Sequence, residues 1–244
     1  MKDICNITAV ILAGGLGTRL RSVVSDRPKV MAEISGKPFL AYLLDQVLAA
    51  GVKETVLCSG YMAEKIEQFF GNSYKSMHLS YSVETEPLGT GGAIRLALPF
   101  IKTDTVLVMN GDSYLNVNIS EYIEPFLGQT SPAALFLTKM ENASRYGSVK
   151  IKKDKTVAFF EEKSDNAEPG WINAGIYLLK RSLITEIPEG KFYSLERELF
   201  PYLAGTKLHG FCTNGKFIDI GTPESYRSAE DFFTCMGNKY LTGK

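Results

Sequence analysis

The residues best suited to chemistry begin at the first apolar run. Ala9 to Leu20 reads A-V-I-L-A-G-G-L-G-T-R-L. A buried strand that ends in Gly14, Gly15 and Gly17 leaves backbone N–H groups open above the sheet edge, an arrangement that suits phosphates. Arg19 adds a charge to that loop; its plainer reading is a surface arginine. The spacing is not a Walker A loop, which ends in Gly-Lys-Ser/Thr, nor the G-x-G-x-x-G of dinucleotide sites. Two aspartates, Asp112 in Asn110-Gly111-Asp112 and Asp219 in Asp219-Ile220-Gly221-Thr222-Pro223, each end an apolar run. Each could aim a carboxylate into a pocket above the strand ends, or simply cap a turn.

Those residues need elements to position them. Thr55–Ser59, Leu79–Val83 and Thr105–Met109 read as further buried strands. Helices are expected from Gly36-Lys37-Pro38 to Gly51, over Glu64–Phe70, and over Thr90–Leu98, closed by Pro99. Arg27 to Ile34 reads as an extended segment set by Pro28. This alternation predicts a doubly wound, Rossmann-like α/β sheet, with ligands above the strand carboxyl ends. The glycine loop and Asp112 should therefore meet in space. From Ala133 the texture changes to strands with little helix: Ala134–Thr138, Ser148–Ile151, Val157–Glu161 and Ile172–Leu179, with a hairpin turn at Lys152–Lys155. These predict an added antiparallel lobe that makes the sheet mixed and covers the pocket. Ser194 reads as the N-cap of a helix, and another helix is expected over 223–233. The chain reads as one domain, 1–236, with halves at 1–130 and 131–236, and a frayed tail at 237–244.

Composition narrows the partners. The 244 residues carry 27 Lys and Arg against 27 Asp and Glu, so the basic excess of a duplex-binding protein is absent and nucleic acid is not expected. No apolar run approaches the ~20 residues of a membrane helix. The first strand starts too early to leave room for a signal peptide, so a cytoplasmic protein with reduced cysteines is expected. The four cysteines form no C-x-x-C pair, and His78 and His209 read as ordinary strand residues.

Taken together the motifs resemble the sugar-1-phosphate nucleotidylyltransferases. The matching stretches are Gly14 to Leu20, Pro28-Lys29, Glu86-Pro87-Leu88-Gly89-Thr90-Gly91-Gly92-Ala93, Asn110-Gly111-Asp112, Tyr146-Gly147, Glu162-Lys163, Asn173-Ala174-Gly175 and Asp219 to Pro223. The resemblance covers nearly the whole chain. It implies that a sugar 1-phosphate oxygen attacks the α-phosphate of a nucleoside triphosphate and pyrophosphate leaves. It places Arg19 and Lys29 on the triphosphate as catalytic cations. It places Leu12, Ala13, Gly14, Gly15, Gly17, Thr18, Glu84, Glu86, Gly89, Thr90 and Asp112 around the nucleotide. Lys163 would bind the sugar phosphate, Glu162 and Asn173 sugar hydroxyls, and Gly147 would let backbone approach the sugar. Asp112 and Asp219 would hold Mg²⁺. A lone E-E-K is otherwise an exposed charge run, and a mid-strand glycine a bulge.

The base and the sugar are read from finer detail. A carboxylate at Glu84 or Glu86 matches the adjacent N–H donors of guanine and tilts the choice toward GTP. Ser22 to Ala32, Gly36 to Leu40 and Glu86 to Ala93 look like the branch acting on D-glycero-α-D-manno-heptose 1-phosphate. Val30 departs from that branch, where proline often follows the lysine. Mannose 1-phosphate with GTP is the runner-up, followed by a thymidylyl- or uridylyltransferase. A nucleotide-sugar-binding regulatory subunit is the non-enzyme alternative. Relatives are often oligomers, and Phe232 and Phe233 serve either an interface or the core. No hexapeptide repeats follow the last helix, so no appended acyltransferase is expected.

Overall fold

The computed structural model describes residues 6–15, 17–143, 145–161 and 168–240. The elements run β1 (Ile7–Leu12), β2 (Glu33–Ile34), β3 (Lys37–Pro38), α1 (Phe39–Ala49), β4 (Glu54–Ser59), α2 (Ala63–Phe70), β5 (Ser73–Tyr74), β6 (Met77–Val83), α3 (Gly89–Leu96), β7 (Thr105–Asn110) and β8 (Ser113–Leu115). They continue as α4 (Ser120–Leu127), β9 (Ala133–Met140), β10 (Ser148–Ile151), β11 (Val157–Glu161), β12 (Gly170–Lys180), α5 (Arg181–Glu186), α6 (Phe200–Leu203), β13 (Leu208–Cys212), β14 (Phe217–Asp219) and α7 (Pro223–Tyr240).

The main sheet has the order β11-β10-β12-β7-β1-β4-β6-β5, with β9 pairing β12 and β13. The strands β6, β4, β1 and β7 are mutually parallel. After β1 the chain moves outward through β4 and β6, then returns to place β7 on the other side of β1. That reversal opens a crevice above the carboxyl ends of β1 and β7. Leu12 and Asn110 face each other there in register, and the Gly111 N–H donates to the Leu12 carbonyl at 2.9 Å. The expected meeting of the glycine loop with Asn110-Gly111-Asp112 is thus built by two adjacent strand ends.

Side-chain parity divides the core into two layers. Ala9, Ile11, Leu107 and Met109 face one layer with α1, α2, α4 and α7. Val10, Val56, Val106 and Val108 face the other with α3, α5 and α6. Both faces of the central strands are covered, which is why they read as unbroken apolar runs. Phe233 belongs to the first layer, packing edge-on against Phe39 and Tyr114; Phe232 is partly buried against the same layer.

The second half does not stand apart from the first. β12 is long enough to pair antiparallel with β7 through Ile176–Lys180 and with β10 through Trp171 and Ile172. It carries the sheet out beyond the nucleotide half and returns β9 beside it. β13 is parallel to β9, an exception to the antiparallel pairing expected of the second half. The hairpin at Lys152–Lys155 forms, with Lys155 at φ +68°.

Several local expectations change, among them the last helix, which runs on to Tyr240 rather than ending near 233. Lys29–Met31 is a single 3-10 turn, so the Arg27–Ile34 segment is not extended throughout. α3 ends at Leu96 and hands over to a 3-10 turn, Leu98–Phe100, that contains Pro99. α4 has no counterpart in the sequence reading, since Pro125 lies inside it and removes a helical N–H. α5 is also unanticipated, a short turn of helix directly after β12. Ser194 caps as expected: its Oγ accepts the Arg197 N–H at 3.2 Å, and Glu198 accepts the Ser194 N–H at 2.9 Å. The helix it opens is a π-helical turn, Leu195–Leu199, that leads into α6.

Candidate active site

Three connected hollows lie along the crevice. The first is lined by Gly14, Cys58, Glu84, Pro87 and Thr90. The second is lined by Ala13, Gly15, Gly17, Thr18, Arg19 and Lys29. The third, of about 440 Å³, is lined by Arg145, Tyr146, Gly147, Asn173, Glu196, Phe217 and Asp219. Asp112 is on the wall of all three. It can do so because it follows the end of β7, where the sheet order reverses.

The first hollow is largely backbone and apolar surface around one carboxylate. Glu84 extends β6 by one residue, its N–H donating to Ser59 O at 2.9 Å. Its Oε2 accepts the Leu88 N–H at 3.1 Å, which turns the side chain inward. Gly14 is glycine for this reason, since a Cβ there would lie 2.7 Å from Glu84 Oε1. Burial raises the Glu84 pKa above the usual carboxylate range, opposed by the Leu88 hydrogen bond. Glu86 is exposed and lines none of the three hollows. Cys58 is buried beneath the hollow, and burial pushes its thiol pKa far up, so it is an inert core residue.

The second hollow carries the positive charge. Arg19 is exposed on the loop and also reaches the wall of the third hollow. Lys29 Nζ donates to Asp112 Oδ2 at 2.6 Å. The lysine side chain is 11% exposed and its aspartate partner 45%, so the ammonium is tucked in while the carboxylate fronts the cleft. Leu16 lies outside the described residues.

The third hollow is walled by a side-chain network. Tyr177 is fully buried. Its hydroxyl accepts from Asn173 Nδ2 at 2.9 Å and donates to Glu196 Oε1 at 3.0 Å. Glu196 Oε2 accepts from Thr90 Oγ1 at 2.6 Å and from Ser194 Oγ at 3.1 Å. Burial, with the Glu196 charge second, pushes the Tyr177 pKa well up, so the phenol stays a donor. Asn173 Oδ1 accepts the Gly175 N–H at 3.0 Å, so both ends of that amide are engaged within the protein. Asn110 also lines this hollow, and its buried Oδ1 has no partner among the described residues. Gly147 lines the hollow as expected, while Glu162 and Lys163 lie outside the described residues.

Asp219 realises both of its sequence readings. Its Oδ1 accepts the Gly221 N–H at 2.7 Å, closing a turn. The same carboxylate lines the third hollow, and its Oδ2 accepts from Tyr146 Oη at 2.6 Å. Burial first, then Asp219, push the Tyr146 pKa well up. No cluster of three or more His, Cys, Asp or Glu able to hold a metal occurs among the described residues. Two carboxylates on one cleft would nevertheless suit a Mg²⁺ that takes its remaining oxygens from phosphates and water.

Sequence reasoning missed Glu196 and Phe192 as wall residues, and it gave no role to Asn110 or Tyr177 although both lie in or beside the motifs it singled out. For Glu196 and Phe192 the signal lay in the glycines of Gly89-Thr90-Gly91-Gly92. Their stretch was read as nucleotide contact, and Gly89 and Thr90 do line the first hollow. The glycines also admit the Lys191–Tyr193 strap: a Cβ on Gly89 would lie 2.7 Å from Tyr193 O, and one on Gly92 2.6 Å from Lys191 O. The strap is what brings Glu196 to Thr90.

The model of the Nucleotidyl transferase family matches residues 8–235. The chain is 40% identical over 223 residues to the D-glycero-alpha-D-manno-heptose 1-phosphate guanylyltransferase of Aneurinibacillus thermoaerophilus, covering 91% of this chain and 96% of that protein. It is 34% identical over 224 residues to the mannose-1-phosphate guanylyltransferase of Mycobacterium tuberculosis, covering 90% of this chain and 62% of that one. The solved structure of HddC from Yersinia pseudotuberculosis complexed with GMP-PN superposes with a TM-score of 0.81 at 38% identity, covering 93% of this chain and 99% of that one. The protein is a member of the nucleotidyl transferase family.

Proposed function

We propose that the protein transfers GMP from GTP to D-glycero-α-D-manno-heptose 1-phosphate, giving GDP-heptose and pyrophosphate. The observation that carries this reading is the meeting of three unlike hollows at Asp112. One suits a base, one a polyphosphate and one a polyhydroxylated sugar. The choice of heptose and of guanine is supported by the 40% identity to a protein of that name over most of both chains.

Each hollow then has a task. Glu84, not the exposed Glu86, accepts the paired N–H donors of guanine. The N–H groups of the glycine loop hold the triphosphate, and Arg19 and Lys29 neutralise the departing pyrophosphate. A sugar phosphate oxygen attacks the α-phosphorus as the bond to the β-phosphate breaks. The nucleophile is already ionised, so no general base is needed; rate comes from alignment and charge. Lys163 binds the sugar phosphate and Glu162 a sugar hydroxyl, beside Gly147 and Asn173. Asp112 and Asp219 would hold Mg²⁺, which when bound supplies positive charge between the two anions. Among the described residues no helix is long and apolar enough to cross a membrane, and the cytoplasm, where GTP is made, is the proposed location.

The test is pyrophosphate release with GTP, UTP and dTTP against the 1-phosphates of the heptose, mannose and glucose, with Mg²⁺. Release should be fastest with GTP and the heptose. Faster release with mannose 1-phosphate, or with another base, would overturn that part of the proposal. No release with any pair would favour a nucleotide-sugar-binding subunit.

A further inference from the structure

Three donors hold the Asp219 carboxylate. Oδ1 accepts from the Gly221 N–H at 2.7 Å and from Ser225 Oγ at 3.2 Å. Oδ2 accepts from Tyr146 Oη at 2.6 Å. Each carboxylate oxygen offers two acceptor directions. Oδ1 is therefore filled, and Oδ2 keeps one direction for a ligand. The two donors on Oδ1 belong to the turn that carries Asp219. Tyr146 comes from a separate loop, 73 residues away in sequence, and is followed by Gly147 of the third hollow.

A competitor stands beside that oxygen. Arg145 Nη2 is 3.7 Å from Asp219 Oδ2, beyond hydrogen-bond range, and 3.4 Å from Thr222 Oγ1. Without the phenol, Oδ2 would offer two directions to a guanidinium already at its side. A charge-assisted hydrogen bond from the guanidinium to Oδ2 is the stable outcome of such a juxtaposition.

We propose that Tyr146 is a positioning residue for the divalent cation: its phenol fixes the Asp219 carboxylate so that one Oδ2 direction faces the cleft, and it keeps that oxygen from Arg145. The inference rests on the reading of Asp219 as a cation ligand. One-oxygen ligation suits Mg²⁺, whose small octahedral shell tolerates poor geometry badly. The phenol also packs edge-on against Phe217, two residues before Asp219 in β14, so the ring is held on both sides of the contact. Because Tyr146 and Gly147 are adjacent, one loop serves both the sugar and the cation.

The test reads cation binding without turnover. Mn²⁺ is titrated into the protein with α,β-methylene GTP, and free Mn²⁺ is followed by electron paramagnetic resonance, for wild type, Asp219→Asn, Tyr146→Phe, Arg145→Gln and the Tyr146→Phe/Arg145→Gln pair. Thermal melting checks that each variant is folded. Tyr146→Phe should weaken Mn²⁺ about tenfold, the scale of one hydrogen bond to a charged acceptor. Arg145→Gln alone should stay within roughly twofold of wild type, and added to Tyr146→Phe it should recover most of the loss. Tyr146→Phe binding Mn²⁺ as wild type does, while Asp219→Asn does not, would overturn the positioning role alone. Asp219→Asn binding as wild type does would overturn both this role and the ligand reading beneath it. A tenfold loss in Tyr146→Phe that Arg145→Gln leaves unchanged would overturn the claim that the phenol keeps arginine away.

Discussion

The two walls of the cleft are built in opposite ways. The nucleotide wall is backbone, glycine and isolated charges at the ends of β1, β6 and β7. Its principal side-chain bond is the single Lys29–Asp112 pair. The sugar wall is a connected network, Asn173–Tyr177–Glu196–Thr90, with Tyr146–Asp219 beside it. A wall that handles moving negative charge combines an exposed cation, Arg19, with a tucked-in one, Lys29, held by Asp112 at the cleft edge. A wall that must tell one polyol from another needs fixed acceptors, and fixing them takes a second layer of hydrogen bonds. Variants in the nucleotide wall should therefore strike kcat, and variants in the sugar wall should strike sugar KM and stability.

The sharpest break of that comparison is Asp112→Ala, which touches all three hollows. Turnover in pyrophosphate release should fall by about 10³-fold or more, as expected when the centre of charge stabilisation is lost. Retained turnover would remove Asp112 from the chemistry. Arg19→Ala should lower kcat by about 10²-fold with sugar KM nearly unchanged, because its partner charge grows as pyrophosphate leaves. A raised sugar KM at normal kcat would move Arg19 to the other wall.

Tyr177→Phe probes the network. It strips a partner from both Asn173 and Glu196, which should cost about 1–3 kcal/mol of stability by urea unfolding and raise sugar KM more than it lowers kcat. Unaltered stability would mean the network relaxes around the gap.

The smallest effect concerns pH. Burial raises the Glu84 pKa, so its carboxylate is lost at a higher pH than that of an ordinary glutamate. GTP KM should rise as pH falls through that raised value, and Glu84→Gln should lack this acid limb. The sign for stability is opposite. A raised folded pKa gives stability that is present in acid and lost as pH rises through it. Glu84→Gln should therefore melt slightly higher than wild type at neutral pH, with the gap closing on acidification. An identical acid limb in Glu84→Gln would assign the titration elsewhere.

The same contrast decides what the sequence reveals. Gly14, Gly15, Gly17 and Asp112 were legible as cleft residues because each sits within a few residues of a strand end, where local pattern fixes position, whereas Lys29, in the 3-10 turn Lys29–Met31, was reached only through the resemblance. The alternation of strands and helices gave the doubly wound sheet for the same reason. Glu196 was not legible as part of the site: Tyr177 is 19 residues away and Thr90 106 away, and only the folded strap brings them together. Glu84 and Glu86 were indistinguishable until the Leu88 N–H turned one inward and left the other exposed. Asn173 lines the third hollow as the sequence suggested, and what the sequence did not show is that Tyr177 and the Gly175 N–H fix its amide in place. α4 was hidden by Pro125, a residue that argues locally against the helix that packing with Ile123 and Phe126 sustains.

The division of the cleft into base, phosphate and sugar hollows is tested most directly by a crystal structure of the protein with GDP-heptose. The account predicts the guanine edge within hydrogen-bond distance of Glu84 and the heptosyl ring beside Gly147 and Glu196, with the diphosphate passing Asp112. Guanine against Glu86, or a heptosyl ring outside the hollow walled by Glu196 and Asn173, would contradict it.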